Sequence, residues 1–176
     1  MIGNLYRQVD IMSVSLTLDP GRVSLAQWRA ISAGDAVWQL DAAALDAMQD
    51  SRSAVQGIVA RGEVVYGINT GFGKLAQTVI VPTRLRELQR KLVLSHAVGL
   101  GDDLPDAVVR LVLASKAVSL ARGHSGVRAD LARALGDLAQ AGLLPRIPAQ
   151  GSVGASGDLA PLAHMACVLI GEGHCR

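Results

Sequence analysis

Apolar residues recur every three or four positions along most of this chain, a spacing that is typical of amphipathic helices. Polar capping residues, prolines and glycines divide the pattern into segments of helical length. The predicted helices cover residues 25–31, 41–60, 82–97, 105–121, 128–141 and 159–170. Pro82 and Pro105 suit the first turn of a helix, whereas Gly62 and Gly142 suit the residue just after its end. The pattern therefore predicts a mainly α-helical fold.

Two of these helices indicate which face should be buried. The helix at 82–97 and the helix at 105–121 each carry an apolar stripe at helical spacing. These stripes consist of Leu85, Leu88 and Leu92 in the first helix and of Val108, Val109, Val112 and Leu113 in the second. Two other segments lack the helical pattern. Residues 64–73 are predicted to be a strand or extended segment that runs into a glycine loop, and 144–148 should be extended because proline disfavours helix in the residue before it.

The composition limits the classes of function that the chain can have. Half of the 176 residues are hydrophobic but only 3% are aromatic, so the core should consist of closely packed Ala, Leu and Val side chains. The net charge of +2, with both signs interspersed, gives no basis for a nucleic-acid partner. The length suits about one domain. No run reaches membrane-spanning length, no signal peptide is apparent, and there are only two cysteines, Cys167 and Cys175. We therefore expect a cytoplasmic protein without a membrane partner.

The segment GSVGASGDLAPLAH, from Gly151 to His164, carries the clearest chemical signal. Within it, Ala155-Ser156-Gly157 can cyclise if the Gly157 nitrogen attacks the Ala155 carbonyl carbon and two waters leave, one of them from the Ser156 side chain. The product is a methylidene-imidazolone ring, which is a strong electrophile made without an added prosthetic group. Glycine permits the bent backbone that ring closure requires. Asp158 is predicted to cap the next helix, whose N–H groups direct positive potential toward the loop.

The residues of these segments also bear on other kinds of site. Clusters of Gly, Ser and Ala are usually flexible turns, so the tripeptide alone does not establish an electrophile. A serine hydrolase is excluded because its nucleophile elbow requires glycine where Asp158 stands. A phosphate-binding loop at 67–74 is excluded because Ile68 stands where a Walker A motif requires glycine. We predict no metal site at the four His and Cys residues between 164 and 175. Two of them, His174 and Cys175, lie past Gly171 and Gly173 at the end of the chain.

Two further motifs precede the Gly151 segment, YGINTGFG from Tyr66 and LSHAVG from Leu94. In this order and at these intervals, the three motifs resemble the aromatic amino acid ammonia-lyase family. The resemblance runs from about Leu16 to the last residue. It implies the N-terminal helical domain of the ammonia-lyase fold, with a short extended segment near 64–73 and a cofactor loop near 150–158. The central bundle of long helices found in that family would be lacking.

The same resemblance implies a cofactor and a reaction. Ala155, Ser156 and Gly157 would form 4-methylidene-imidazol-5-one autocatalytically, with Ser156 as a catalytic residue. In that family the ring accepts the substrate amine, a base removes a β-proton, and ammonia leaves. The implied reaction is the non-oxidative deamination of L-histidine to urocanate and ammonia in histidine degradation.

Three more residues receive roles from the resemblance. Ser95-His96 resembles the pair of the histidine ammonia-lyase branch, in which the histidine engages the substrate imidazole. Tyr66 matches the family's catalytic base or proton relay at the β-carbon, a role that requires positive or hydrogen-bonding surroundings to stabilise the phenolate. Outside the family context, Tyr66 would be interpreted as covering an edge of the core and His96 as capping the end of a helix.

The organisation of the chain leaves alternatives open. Residues 1–12 are a leader of uncertain status, and 13–176 are expected to form the N-terminal ammonia-lyase domain. The family's asparagine, second tyrosine, carboxylate-binding arginine and late glutamate have no positions here, and its homotetramer would supply groups from other subunits. We therefore expect an N-terminal portion that is inactive alone. The alternatives are a non-catalytic helical fragment or interaction protein with an uncyclised loop, and a lyase acting on another aromatic amino acid.

Overall fold

The computed structural model describes residues 14–70, 80–153 and 157–176. In this part of the chain, helices dominate, and four short strands form two separate two-stranded sheets. The elements are β1 (Val14–Leu18), α1 (Leu25–Ala33), β2 (Ala36–Leu40), α2 (Ala42–Arg61), α3 (Pro82–His96), β3 (Leu100–Asp103), α4 (Asp106–Leu120), α5 (Ala129–Gln140), β4 (Pro148–Gln150) and α6 (Leu159–Leu169). The prediction of a mainly α fold is confirmed. The predicted leader at 1–12 lies outside the described residues.

The six helices of the described chain lie close to their predicted bounds, and local capping groups account for the ends of α1 and α2. Ser24 and Gln27 form a reciprocal capping box at the start of α1. Asp41 caps α2 by accepting a hydrogen bond from the Ala43 N–H at 2.9 Å, and Gly62 ends this helix with a φ of 68°. Helix ends could therefore be predicted from the sequence because they depend on groups only a few residues apart.

The first sheet was missed by the sequence analysis. Strands β1 and β2 pair in parallel, with Val14 opposite Ala36 and Leu18 opposite Leu40, and α1 is the crossover between them. Each strand has only five residues, so its period-two pattern is too short to distinguish from the surrounding apolar residues. The strands are stabilised by tertiary packing, with Leu18 0% and Trp38 4% exposed in the core.

Helix α4 lies at the centre of the core and packs against α1 and α5. Val109 and Leu113 are fully buried on its inner face. Val108 was predicted to share this stripe but is 39% exposed. The buried face of α4 continues through Ala114, Ala117 and Val118, and Val108 lies outside it. The stripe on α3 is less buried still, since Leu85, Leu88 and Leu92 remain partly exposed.

The segment predicted to be extended near 64–73 forms a turn in its described part. The N–H groups of Ile68 and Asn69 both donate to the Val65 carbonyl, at 3.1 and 3.3 Å. The side chain of Asn69 accepts from the Val65 N–H and donates to the Glu63 carbonyl, so it satisfies backbone groups that a strand would have paired with a neighbour. Residues 71–73 lie outside the described residues.

The predicted extended run at 144–148 is confirmed and leads into β4. Leu144 and Arg176 exchange two backbone hydrogen bonds, of 3.1 and 2.9 Å, so the run pairs with the last residues of the chain. Strand β4 then pairs antiparallel with β3, with Leu100 opposite Gln150 and an irregular register between the two ends. Within the described ranges, no helix is both long and apolar enough to cross a membrane.

Candidate active site

The predicted cofactor loop connects β4 to α6. Ala155 and Ser156 lie outside the described residues, whereas Gly157 is described and has a φ of +89°, a left-handed conformation that favours glycine. The Leu159 N–H donates to the Gly157 carbonyl at 3.1 Å where α6 begins. The macrodipole of α6 directs its positive end toward the loop. The third tripeptide residue thus lies at the electropositive end of a helix.

Asp158 occupies the N-cap position of α6, but the predicted capping bond is absent. Its side chain makes no hydrogen bond to the first turn of the helix. Instead, one of its carboxylate oxygens accepts a hydrogen bond from the Ser152 hydroxyl. This bond joins a residue that precedes the Ala155-Ser156-Gly157 tripeptide to the residue that follows it. Asp158 therefore closes the base of the loop, a role that required the folded position of Ser152 to be known.

The Ser95-His96 pair lies at the end of α3, and the ring of His96 has defined partners. His96 Nδ1 lies 2.8 Å from the Leu92 carbonyl oxygen, which can only accept, so Nδ1 carries the proton. Ser95 Oγ donates to the same carbonyl at 3.0 Å and lies 3.2 Å from His96 Nδ1. The ring thus bonds a carbonyl one turn earlier on its own helix. In the neutral ring, this bond leaves Nε2 as an acceptor.

Tyr66 lies in a separate groove between α2, α3 and the loop after α4. The tyrosine is 63% exposed, so it does not cover an edge of the core. The groove has a volume of about 1030 Å³, and its lining includes the basic residues Arg52, Arg86 and Arg128. The lining thus brings three positive charges to the groove that contains Tyr66.

The structure brings some of the predicted site residues together and leaves others apart. Ser95 and His96 are adjacent, and the segment after them is bound to α6 because the Gly99 N–H donates to His164 Nε2 at 3.0 Å. Tyr66 shares its groove with Gln89 of α3, which precedes His96 by seven residues or roughly 10 Å of helix. Tyr66 is therefore near the first half of α3, whereas His96 is at its end.

An ion-pair network fixes the β3–β4 sheet that precedes the loop. Asp103 Oδ2 accepts from Arg146 at 2.7 Å and from Arg176 at 2.9 Å, and Arg176 also pairs with Asp106 at 2.8 Å. The hydrogen bond from Arg146, with the positive charge of Arg176, lowers the pKa of the Asp103 carboxyl. These pairs connect β3, the start of α4 and the end of the chain to the run that leads into the loop.

The cysteines show no sign of a reactive or metal-binding role. Both are free thiols, and burial raises the pKa of Cys167 and Cys175, which disfavours the nucleophilic thiolate. Among the described residues, no three His, Cys, Asp or Glu side chains are grouped so that they could hold a metal ion.

Sequence reasoning missed three contributors to this site, namely Ser152, Gly99 and His164. Ser152 and His164 stand within the Gly151 segment, and Gly99 ends the LSHAVG motif. Their positions inside two motifs were a signal that they matter. Their partners could not be identified, because the Gly99–His164 bond joins residues 65 positions apart.

Comparisons with known proteins agree with this architecture. The family model described as aromatic amino acid lyase matches residues 23–176. The histidine ammonia-lyase of Paracidovorax citrulli is 67% identical over 159 residues, which are 90% of this chain and 31% of that protein. The chain thus spans about a third of the length of this relative.

Solved structures show the same likeness at lower identity. The histidine ammonia-lyase of Trypanosoma cruzi is 33% identical with a TM-score of 0.80, over 91% of this chain and 30% of that one. The tyrosine aminomutase of Streptomyces globisporus is 32% identical with a TM-score of 0.84, over 92% of this chain and 30% of that one. The family model matches most of the chain, and the chain belongs to the aromatic amino acid lyase family.

Proposed function

We propose that this chain provides the N-terminal part of a histidine ammonia-lyase, which converts L-histidine to urocanate and ammonia in histidine degradation. The observation that carries this proposal is the hydrogen bond between His96 Nδ1 and the Leu92 carbonyl. This bond fixes the tautomer of the ring and leaves Nε2 able to accept a hydrogen bond. The imidazole N–H of L-histidine is a donor that suits this acceptor.

Ser95 supports the selection of histidine by fixing the orientation of His96. Its hydroxyl donates to Leu92 and lies within hydrogen-bond distance of His96 Nδ1, so the ring has two partners on the same side. A substrate whose side chain has no N–H or O–H would leave Nε2 without a donor. A site built for hydrogen bonding strongly disfavours a substrate that lacks the matching group, so kcat/KM for such a substrate should be low.

Tyr66 is the proposed base. Its phenolate oxygen would take the proton from the β-carbon of L-histidine. The electron pair of the broken C–H bond then forms the second bond between the α- and β-carbons, and the α-carbon–nitrogen bond breaks to release ammonia. The basic residues of the Tyr66 groove support this role, because positive charge stabilises a phenolate. Since Tyr66 lies beside the first half of α3, other parts of the complete protein are proposed to bring substrate between it and His96.

The residues proposed to form the cofactor are Ala155, Ser156 and Gly157. A methylidene-imidazolone supplies an electrophile that makes the substrate amine a better leaving group. The described residues fit this group in two respects. The left-handed backbone of Gly157 requires glycine, and the Ser152–Asp158 bond holds the two ends of the loop together. We further propose that the complete protein is a cytoplasmic homotetramer.

A chimaera tests this proposal directly. In it, this chain replaces the corresponding N-terminal part of the Paracidovorax citrulli histidine ammonia-lyase, a replacement that 67% identity makes feasible. Intact mass should show the loss of two waters from the peptide that contains Ala155-Ser156-Gly157. Urocanate should appear from L-histidine when followed by its ultraviolet absorbance. The matched control is the same chimaera with Ser156→Ala, which cannot form the methylidene group.

The outcomes separate the alternatives. A chimaera with the unmodified mass and no urocanate would favour the non-catalytic helical fragment. A dehydrated chimaera that releases ammonia from L-tyrosine or L-phenylalanine faster than from L-histidine would favour a lyase for another aromatic amino acid. Dehydration together with preferential formation of urocanate would support the proposal.

A further inference from the structure

The segment that follows His96 is packed tightly against both ends of the candidate cofactor loop. A Cβ added at Gly99 would lie 3.1 Å from His164 Nε2 and 3.1 Å from Pro148 Cβ. A Cβ added at Gly151 would lie 3.1 Å from Ala160 Cβ and 3.2 Å from Gly99 Cα. We call these five residues the glycine junction. It brings the backbone after α3 into contact with the first residue of the loop segment and with the helix after the loop.

One directional bond crosses the glycine junction. The Gly99 N–H donates to His164 Nε2 at 3.0 Å, so this nitrogen has no proton of its own. A neutral ring with an accepting Nε2 carries its proton on Nδ1. A doubly protonated ring would have an N–H at both nitrogens and could not accept this bond. The contact therefore exists only while His164 is neutral and in one tautomer.

We propose that His164 is a positioning residue, which holds the Ser95-His96 segment in register with the cofactor loop by accepting the Gly99 N–H. This inference rests on the proposed function. His96 and Gly99 are three residues apart in the chain, whereas His164 follows Gly157 by seven residues on the helix that begins just after the loop. Their bond connects the residue that selects the substrate with the residues that would form the electrophile. The glycines at 99 and 151 permit the close approach on which the bond depends.

The surroundings of His164 keep its ring in the accepting form. Burial lowers the pKa of His164, while the negative charge of Asp103 on β3 acts in the opposite direction. Helix α3 packs against α6, and its Arg90 pairs with Glu172 after α6. The further charged or titratable groups on the elements around His164 are Arg84, Arg86, Glu87, Lys91 and His96 on α3, Asp102 on β3 and Cys167 on α6 itself. The neutral form is thus favoured at neutral pH.

The first experiment measures the hydrogen bond itself and does not depend on lyase activity. Nitrogen-15 spectra of the histidine rings in the 176-residue chain should show His164 as the Nδ1–H tautomer at neutral pH. The Gly99 amide signal should shift with the same pH midpoint as the His164 ring. An Nε2–H tautomer, a protonated ring at neutral pH, or a Gly99 amide that does not follow His164 would overturn the proposal.

The second experiment measures positioning in the chimaera. His164→Leu removes the acceptor, and kcat/KM for L-histidine should fall roughly tenfold to a hundredfold, because small displacements of positioned groups are costly. His164→Gln, whose amide oxygen has a similar reach, should recover a large part of this loss. Gly99→Ala, which crowds the same contact, should reproduce the His164→Leu effect. The matched control is His174→Leu, an exposed histidine outside the glycine junction.

The two experiments keep this inference separate from the proposed function. If the parent chimaera forms no urocanate, the proposed function fails, and the nitrogen-15 spectra still decide whether the Gly99–His164 bond exists. If the parent is active and His164→Leu matches it in kcat/KM, the positioning role is wrong although the proposed function stands. If His164→Leu does not fold, the comparison of His164→Gln with Gly99→Ala decides, since equal activity of both variants with the parent contradicts the proposal.

Discussion

At the scale of single residues, the candidate site depends on which atoms of the two histidines are left to accept hydrogen bonds. His96 donates through Nδ1 to Leu92, and His164 accepts through Nε2 from Gly99. In the neutral form, each ring therefore carries its proton on Nδ1. The Nε2 of His164 is used within the fold, whereas that of His96 is proposed to receive the substrate. A histidine side chain is thus proposed to position a segment at residue 164 and to bind the substrate at residue 96.

Replacement of His96 tests its role in selecting the substrate. His96→Phe keeps an aromatic ring but removes the acceptor, so in the chimaera kcat/KM for L-histidine should fall roughly tenfold to a hundredfold, the cost of an unpaired hydrogen-bonding group. His174→Phe is the matched control and should match the parent. Steady-state formation of urocanate measures both. An unchanged kcat/KM in His96→Phe would contradict the proposed contact with the substrate.

The pH dependence of stability tests the neutral state of His164. Its pKa in the folded chain is lowered, so the folded state binds fewer protons than the unfolded state between the two pKa values. The contribution of His164 to the free energy of unfolding should be fully present above about pH 6.5, the ordinary pKa of histidine, and should be lost as the pH falls through the folded pKa. Urea unfolding across this range should show a shallower decline in His164→Gln. An identical decline in parent and variant would contradict the prediction.

At the scale of elements, helix α4 and the β3–β4 sheet have different sources of stability. Helix α4 is held by apolar side chains, with Leu113 0% exposed between α1 and α5. The β3–β4 sheet is instead fixed by Asp103 at the end of β3, whose carboxylate accepts hydrogen bonds from Arg146 and Arg176. Substitutions in the two elements should therefore respond differently to pH.

Truncation of Leu113 should cost stability at every pH. Leu113→Ala leaves a cavity in the core and should lower the free energy of unfolding by about 2–5 kcal/mol. Val108→Ala, on the same helix but 39% exposed, is the matched control and should cost less than about 1 kcal/mol. Urea unfolding midpoints at constant slope measure both. Equal losses in the two variants would mean that the buried face of α4 has been assigned wrongly.

The ion pairs of Asp103 should contribute to stability only while its carboxyl is ionised. Because Arg146 and Arg176 lower its pKa in the fold, this contribution is present above about pH 4, the ordinary pKa of aspartate, and disappears as the pH falls through the lower folded pKa. Asp103→Asn should therefore be less stable than the parent at neutral pH, and the difference should shrink in acid. Asp130→Asn, in a more exposed pair with Arg133, is the control. A difference that persists at low pH would argue against the ion pairs as its cause.

At the scale of the whole molecule, many apolar groups face outward. Among the residues that the structure describes, the large apolar side chains that expose more than half of their maximum area are Val14, Leu25, Val64, Tyr66, Val81, Val98, Leu100, Val153 and Leu159. Val153 and Leu159 flank the candidate loop, and Val98 and Leu100 flank Gly99. These four side chains lie around the proposed site, where added protein would bury apolar area.

This exposure predicts that the 176-residue chain alone does not form the cofactor. Strained backbone persists only where the surrounding structure holds it, and the loop is flanked by exposed side chains on both sides. The isolated chain should keep its unmodified mass, form no urocanate and associate with itself. Intact mass and light scattering measure these outcomes, with the chimaera as control. A dehydrated mass in the isolated chain would show that this part of the fold is sufficient for ring closure.

The sequence by itself determined the helices, the three motifs and the family, because caps, prolines and short motifs consist of residues that are near one another in the chain. Gly62 ends α2 as predicted, and the Gly151 segment begins α6 as predicted. Tertiary structure decided the rest. It paired two five-residue strands and left Val108 exposed. It also placed Asp158 where it bonds Ser152 and not its own helix, and it brought Gly99 within hydrogen-bond distance of His164. Each of these depends on groups whose separation in space is set only when the whole chain packs, and no local pattern contains that distance.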